Sequence, residues 1–443
     1  MIVVKHSNLR VTMDINHSNT ICFIKHCKAI KDSHFTRNRK LPLHQLLLSI
    51  LSRKGRTLTM EIRSFIKSIK SKISISKPGY LKQRQKLNPE VFLELSDFHL
   101  RNFYKDTTMV QRLKGYLILA VDSSSVNLPN TLQNVELYGN ASHKNAKSQA
   151  QLGISCLFDV LNKMIIDCTI NKWKFSERNQ ALLHIDKCNS ITGEKPRIVI
   201  FDRGYPSGEF FIDLMERNES FLIRIGATVF KKEQLAMTTD DEYINIRFDK
   251  SRLSPHKGTQ TADKLAKTGS IPLRFVRFEL DNGSMEYLAT DLPMEEFNTS
   301  EIVYLYRLRW EIETAYDALK NKLFIENFTG TKPIMIEQDI YATVYLCNVI
   351  HDILLDAKLE FNIKNHQKYK YRMEINKNIA IGIMKEELIR FILEEDKGRK
   401  KEIFDEIIVE ISKNILPVRN GRHYVRTKGQ LSGTYSNVNK RSF

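Results

Sequence analysis

The sequence predicts an α/β fold, a mixed sheet set between two helical regions, and three observations carry that reading. Short apolar runs alternate with helical periodicity through the middle of the chain. A polar stretch with one strong hairpin signal interrupts that alternation. Both flanks show apolar residues at helical spacing instead.

Taken in order, residues 43–51 are apolar-rich, and Leu58, Ile62, Phe65, Ile66 and Ile69 recur at i, i+4, i+7, i+8 and i+11. Two helices about Gly55 suit a helix-turn-helix as well as an ordinary helical hairpin. Residues 117–121 form a buried-strand run that ends in the polar Asp122-Ser123-Ser124-Ser125. Residues 153–158 and 164–170 predict an antiparallel hairpin, and 177–186 a helix. A fourth strand at 198–201 ends in Asp202-Arg203-Gly204-Tyr205, then a helix at 207–217 leads to a fifth strand at 221–225. Residues 257–270 are polar, whereas 271–280 and 285–292 flank Asp281-Asn282-Gly283-Ser284, a hairpin turn. Asn298 with Glu301 predicts a capping box opening a helix that runs to about Lys322. Beyond Tyr341 the pattern is helical. The expected organisation is a basic helical region over 1–105, a central domain over 106–350 with a β-rich insertion at about 226–297, and a helical region with a basic tail over 351–443.

Charge narrows the function. The chain carries 69 Lys and Arg against 51 Asp and Glu, a net +18. Residues 35–90 hold fourteen basic residues, Arg53, Lys54, Arg56 and Arg84 among them, against Glu61 and Glu90. Residues 412–443 add seven more with no acid. Two cationic clusters flanking a near-neutral middle are the footprint of polyanion binding, because each neutralised phosphate releases counterions. The longest unbroken apolar run is six residues, 116–121, against the ~20 a membrane span needs, so no bilayer crossing is expected. Six cysteines without a CxxC pair suit free thiols in a reducing compartment, and a cytoplasmic protein is expected. Cys22, His26, Cys27 and His34 match no zinc spacing. Glycine-rich nucleotide loops are absent, so ATP dependence is not expected.

On the wheel of the 298–322 helix, Tyr306, Arg309, Glu313 and Lys320 share a face about 60° wide. Leu305, Ile312, Tyr316 and Leu319 form the apolar stripe beside it. Two aspartates at strand ends, Asp122 and Asp202, with the helical Glu313 supply the hard oxygens that Mg²⁺ or Mn²⁺ takes, in the layout of two-metal phosphoryl transfer. Taken singly, each aspartate is a common loop or cap residue, and the helical strip is a common solvated face.

Tyr306-Arg307-Leu308-Arg309-Trp310-Glu311-Ile312-Glu313, continuing to Leu319-Lys320, resembles the Y-x2-R-x3-E-x6-K signature of insertion-sequence transposases, in particular the insertion-sequence-four family. Ala120-Val121-Asp122-Ser123-Ser124 and Asp202-Arg203-Gly204-Tyr205 resemble its two aspartate motifs. Arg39-Lys40-Leu41-Pro42-Leu43 and Arg84-Gln85-Lys86-Leu87 are similar to its N-terminal region. The resemblance spans residues 35–330. It implies an RNase H-like core with a catalytic, metal-holding triad of Asp122, Asp202 and Glu313, and a β-rich insertion before the glutamate. It also implies Mg²⁺ (or Mn²⁺), and a homodimer that cuts paired element ends and joins the 3′-hydroxyls to target DNA. Tyr306, Arg309 and Lys320 would contact phosphates at the cleaved end, and Arg53, Lys54 and Arg56 would bind DNA elsewhere. Some relatives stack a flipped base on an insertion tryptophan. Here Trp173 and Trp310 lie outside 226–292, so Phe230, Tyr243, Phe248, Phe275 or Phe278 would take that part, with Trp310 packing beside the site. The competing readings are a metal-dependent nuclease on the same core and a DNA-binding repressor without catalysis.

Overall fold

A computed structural model describes residues 6–18, 30–31, 34–35, 40–143, 146–280, 283–364 and 369–418. Cys22, His26 and Cys27, the basic Arg37 and Arg39, the turn residues Asp281 and Asn282, and the tail from Arg419 lie outside the described residues.

The sheet is built from β1 (Leu117–Asn127), β2 (Asn140–His143), β3 (Ala146–Asp159), β4 (Met164–Lys172), β5 (Arg197–Phe201), β6 (Ser220–Ile225), β7 (Asp241–Arg247), β8 (Ser270–Glu279) and β9 (Met285–Thr290). Its core order is β4-β3-β1-β5-β6: β3 lies antiparallel between β1 and β4, while β1, β5 and β6 run parallel. Three strands joined as a meander, followed by two strands each reached through a helix, give the mixed sheet of an RNase H-like core.

Helices cover both faces, so the central strands are apolar on both sides and read as continuous runs. Along β1 and β5, Ile118, Ala120, Ile198 and Ile200 enter one core with the helices Trp310–Asp317 and Pro333–Lys364. Leu117, Leu119, Val121, Val199 and Phe201 enter the other, with the helices Glu177–Thr192 and Gly208–Glu216. Strand parity therefore turns Asp122 and Asp202 toward the first face.

β1 does not end at Val121. Its pairing with β3 continues to Asn127 opposite Gln151, which places Asp122 inside the strand rather than at its end. The segment before Glu313 carries β7, β8 and β9 together with the helices Lys231–Ala236, Lys250–Leu253 and Gln260–Thr268. The last of these lies in the stretch read as merely polar, with Thr259 capping it onto the Ala262 amide. β9 pairs antiparallel with β6, so β9, β8 and β7 extend the same sheet.

The helix Pro333–Lys364 is the central pillar of the helical layer. Its 333–362 portion is the one described helix long and apolar enough to cross a bilayer, and 78% of its apolar window is buried inside the protein. Its polar residues are ties. Asp339 takes the buried Arg84 at 2.8 Å and Arg53 at 3.2 Å, and the Thr329 amide donates to it at 2.8 Å. Burial alone would raise its pKa, but Arg53 and Arg84 outweigh that and hold it low. Asp352 accepts from Arg10 Nε at 2.7 Å, and Tyr345 donates to Asp14 at 2.8 Å, which fastens the helix His6–Ser18 against the pillar. Near the other end of the described chain, β10 (Met373–Ile375) pairs with β11 (Ile415–Pro417).

Candidate active site

The paired registers of β1 and β5 end at Ala120 opposite Ile200, and two further residues bring Asp202 level with Asp122. The Asp122 carboxylate accepts from the Ser123 amide at 2.8 Å. Burial pushes Asp122 up to about 6; the Ser123 hydrogen bond and Arg309 oppose this, while the charges of Asp202 and Glu177 add to it. Burial, more than the neighbouring carboxylate, is what makes Asp122 reluctant to ionise.

The third acid comes from the segment after the capping box, which is present at Asn298 and Glu301. One continuous helix from 298 to 322 is not what forms. The helix Thr299–Arg307 ends, and the amides of Leu308, Arg309, Glu311 and Ile312 each bond three residues back, at 3.0–3.1 Å. Trp310–Asp317 then resumes as α-helix, and Ala318–Lys322 widens into a π turn, with Leu323 N bonding Ala318 O at 2.9 Å. An overwound stretch followed by an underwound one keeps the chain on the sheet, but a single 100° wheel does not describe it. Leu305, Ile312, Ala315, Tyr316 and Leu319 are buried as the apolar stripe required.

Side-chain contacts nevertheless bring the expected residues to one place. Tyr306 donates to Asp202 at 3.2 Å, Arg309 donates to Glu313 at 2.9 Å, and Lys320 reaches Ser124, two residues beyond Asp122, at 2.8 Å. Arg309 is 4% exposed and its guanidinium lies 5.8 Å from the Tyr306 ring centre. Burial lowers the pKa of Lys320, against the charge of Glu326. Among the described residues no three acids, histidines or cysteines stand close enough to hold an ion together. Glu313 is engaged by Arg309. Carboxylate oxygens are the hard donors that a divalent cation takes, and Asp122, Asp202 and Glu313 offer only such donors.

Several participants escaped sequence reading. Tyr316 donates to the Asp122 carbonyl at 2.7 Å. Arg224 pairs with Glu286 and stands 4.0 Å from Asp202; its signal was a charge within the apolar strand β6. Trp310, expected to pack, is exposed and lies 5.6 Å from the Arg309 guanidinium. Of the insertion aromatics, Phe248 and Phe275 are buried and Tyr243 is exposed. Ser155, His184 and Asp167 are linked at 3.0 and 2.6 Å in the order of a nucleophilic triad, but all three are buried and the chain ties β3 and β4 to the helix Glu177–Thr192.

The N-terminal cations divide. Arg53 is committed inside the protein, donating to Asn327 O, Asp339 O and Thr343 Oγ1 at 3.1–3.2 Å. Arg84 is wholly buried. The Lys54 and Arg56 backbone amides donate to Glu61 at 2.9 and 2.7 Å, and both residues are half-buried.

Comparison with known proteins finds transposases. Transposase InsG of insertion sequence element IS4, from Escherichia coli K12, is 20% identical over 434 residues, covering 95% of this chain and 92% of InsG. The putative transposase InsL of IS186A, also from Escherichia coli K12, is 29% identical over 103 residues, 23% of this chain; the match spans only 28% of the length of InsL. Among solved structures, a piggyBac transposase synaptic complex with hairpin DNA aligns over 91% of this chain and 82% of that one, at 11% identity and a TM-score of 0.43. Residues 113–348, more than half of the chain, match the family described as "Transposase DDE domain". The chain is therefore a member of the DDE transposase family.

Proposed function

We propose that the protein is a cut-and-paste transposase, cleaving insertion-sequence ends and joining the 3′-hydroxyls to target DNA, as a homodimer on paired ends in the cytoplasm. The observation that carries this reading is the convergence of Asp122 and Asp202 on adjacent parallel strands beneath the segment bearing Tyr306, Arg309, Glu313 and Lys320. Asp122, Asp202 and Glu313 would hold Mg²⁺ or Mn²⁺. When bound, such ions activate the attacking oxygen and stabilise the leaving one. Tyr306 steadies the Asp202 carboxylate. Arg309 presents a fork suited to a phosphate beside the scissile bond. Lys320, braced on Ser124, adds a second cation to the same face. Lys54 and Arg56 would contact the DNA backbone away from the cut; Arg53 is better suited to its internal role.

Purified protein incubated with labelled element ends, plasmid target and Mg²⁺ tests the proposal. Joined product is expected. Nicks alone would select the nuclease reading, and a mobility shift without cleavage the repressor reading. Asp122→Ala, Asp202→Ala and Glu313→Ala should each abolish cleavage and leave DNA binding in place.

A further inference from the structure

Next to the helix Trp310–Asp317, reached through the Lys163–Glu311 pair, lies a cleft that the catalytic reading does not use. It contains a cavity of about 350 Å³ between the pillar helix and β10, within the roughly 300–1,000 Å³ of small-ligand sites. Leu354, Phe361 and Met373 supply apolar wall, and four cations, Lys163, Lys358, Arg372 and Lys377, face it against the single acid Glu374.

The charge there is in surplus. Lys163 pairs with Glu311 at 2.8 Å and Arg372 with Glu374 at 3.4 Å. Lys358 and Lys377 have no ion-pair partner among the described residues. Burial, with Lys377, Lys163 and Lys322 close by, pushes His351 down to about 3, so the imidazole at the base of the cleft is neutral. Crowded ammonium groups oppose folding, and an anion relieves them.

The chain just before the lining residue Arg372 carries two aromatic rings. Tyr369 and Tyr371 are 48% and 50% exposed. Tyr369 stacks on the cavity residue Phe361 with ring centres 6.2 Å apart, and Lys370 lies 5.7 Å from the Tyr371 ring centre. Exposed rings alternating with Lys and Arg, next to an apolar hole, make a surface on which a base stacks while its phosphate is held.

We propose that this cleft is a second nucleic-acid site that takes an unpaired nucleotide of the DNA substrate. The base sits against Phe361 and Tyr369, and the phosphates sit on Lys358, Arg372 and Lys377. The proposal rests on the DNA-processing function proposed above.

Fluorescence anisotropy of the full chain at fixed salt tests it, with a blunt element-end duplex and the same duplex bearing a single-stranded 3′ tail. The variants Lys358→Ala/Arg372→Ala and Tyr369→Ala/Tyr371→Ala change exposed side chains only, so the fold is not at risk. The wild type should bind the tailed duplex about tenfold more tightly than the blunt one. Both variants should lose that advantage, with blunt-duplex affinity within about threefold of wild type and end cleavage retained. Millimolar dTMP should abolish the advantage, whereas inorganic phosphate should not. No tail advantage in a wild type that binds and cuts blunt ends would overturn the cleft while leaving the transposase reading intact. An advantage that survives in both variants would do the same. Equal competition by phosphate and dTMP would reduce the cleft to an anion site and overturn the nucleotide assignment. Failure to bind either duplex would remove both readings together.

Discussion

Arg309 donates to Glu313 across one turn at 2.9 Å, and the arginine in that pair is 4% exposed whereas the glutamate side chain is 37% exposed. The same guanidinium acts on Asp122, and its own ionisation is favoured by Asp202, so one fixed positive charge faces all three acids. Arg309 holds one oxygen of the Glu313 carboxylate, and a DNA phosphate is an alternative partner for the same fork. Arg309→Lys keeps the charge but not the fork, and should lower joining at least tenfold with end binding within about threefold. Joining at the wild-type rate would mean that the fork does not act on DNA.

Asp122 gives a pH signature in the metal-free protein. Its folded pKa of about 6 lies above the unfolded value of 3.8, so the folded state binds the extra proton between those values. Stability is therefore favoured at low pH and falls as pH rises through about 4 to 6. Asp122→Asn removes that loss. It should raise stability by about 1–3 kcal/mol at pH 7 and by little at pH 4, while abolishing cleavage. Urea unfolding at the two pH values checks it; equal effects at both would disprove the burial cost.

Asp339 supports a structural prediction. Asp339→Ala leaves Arg53 and Arg84 in the interior without their carboxylate, at a cost of about 3–5 kcal/mol. Lys54→Ala/Arg56→Ala should leave the melting temperature within about a degree and flatten the salt dependence of DNA binding by up to two units of slope. Thermal melts and binding at several salt concentrations separate the two classes of cation.

Lys320→Ala should weaken joining more than end binding, with a stability change of about 1 kcal/mol or less, since the half-buried Lys320 loses its hydrogen bond to Ser124 and its attraction to Glu326. A large loss of stability with unchanged joining would make Lys320 a packing residue.

The aspartates were legible in the sequence because each follows an apolar run so pure that the next polar residue marks where strand parity carries a charge into the site. Glu313 was legible through its spacing from Tyr306 and Lys320. What stayed hidden is tertiary. Ser123, Ser124 and Ser125 carry no strand signal, and only pairing with β3 holds them extended. No glycine or proline marks the break at Leu308, where i to i−3 bonds tighten the chain. Arg53 and Arg84 read as free cations because the acid that neutralises them lies 255 residues beyond Arg84.

The sheet that runs unbroken from β4 to β7 makes the molecule a single beam. Asp202 follows the strand that pairs β6, and β6 is bonded in turn to β9. From β7 to the strand before that aspartate, each strand is hydrogen-bonded to the next. Whatever grips the far strand, whether duplex or partner, would also set the tilt of the acids at the middle of the span.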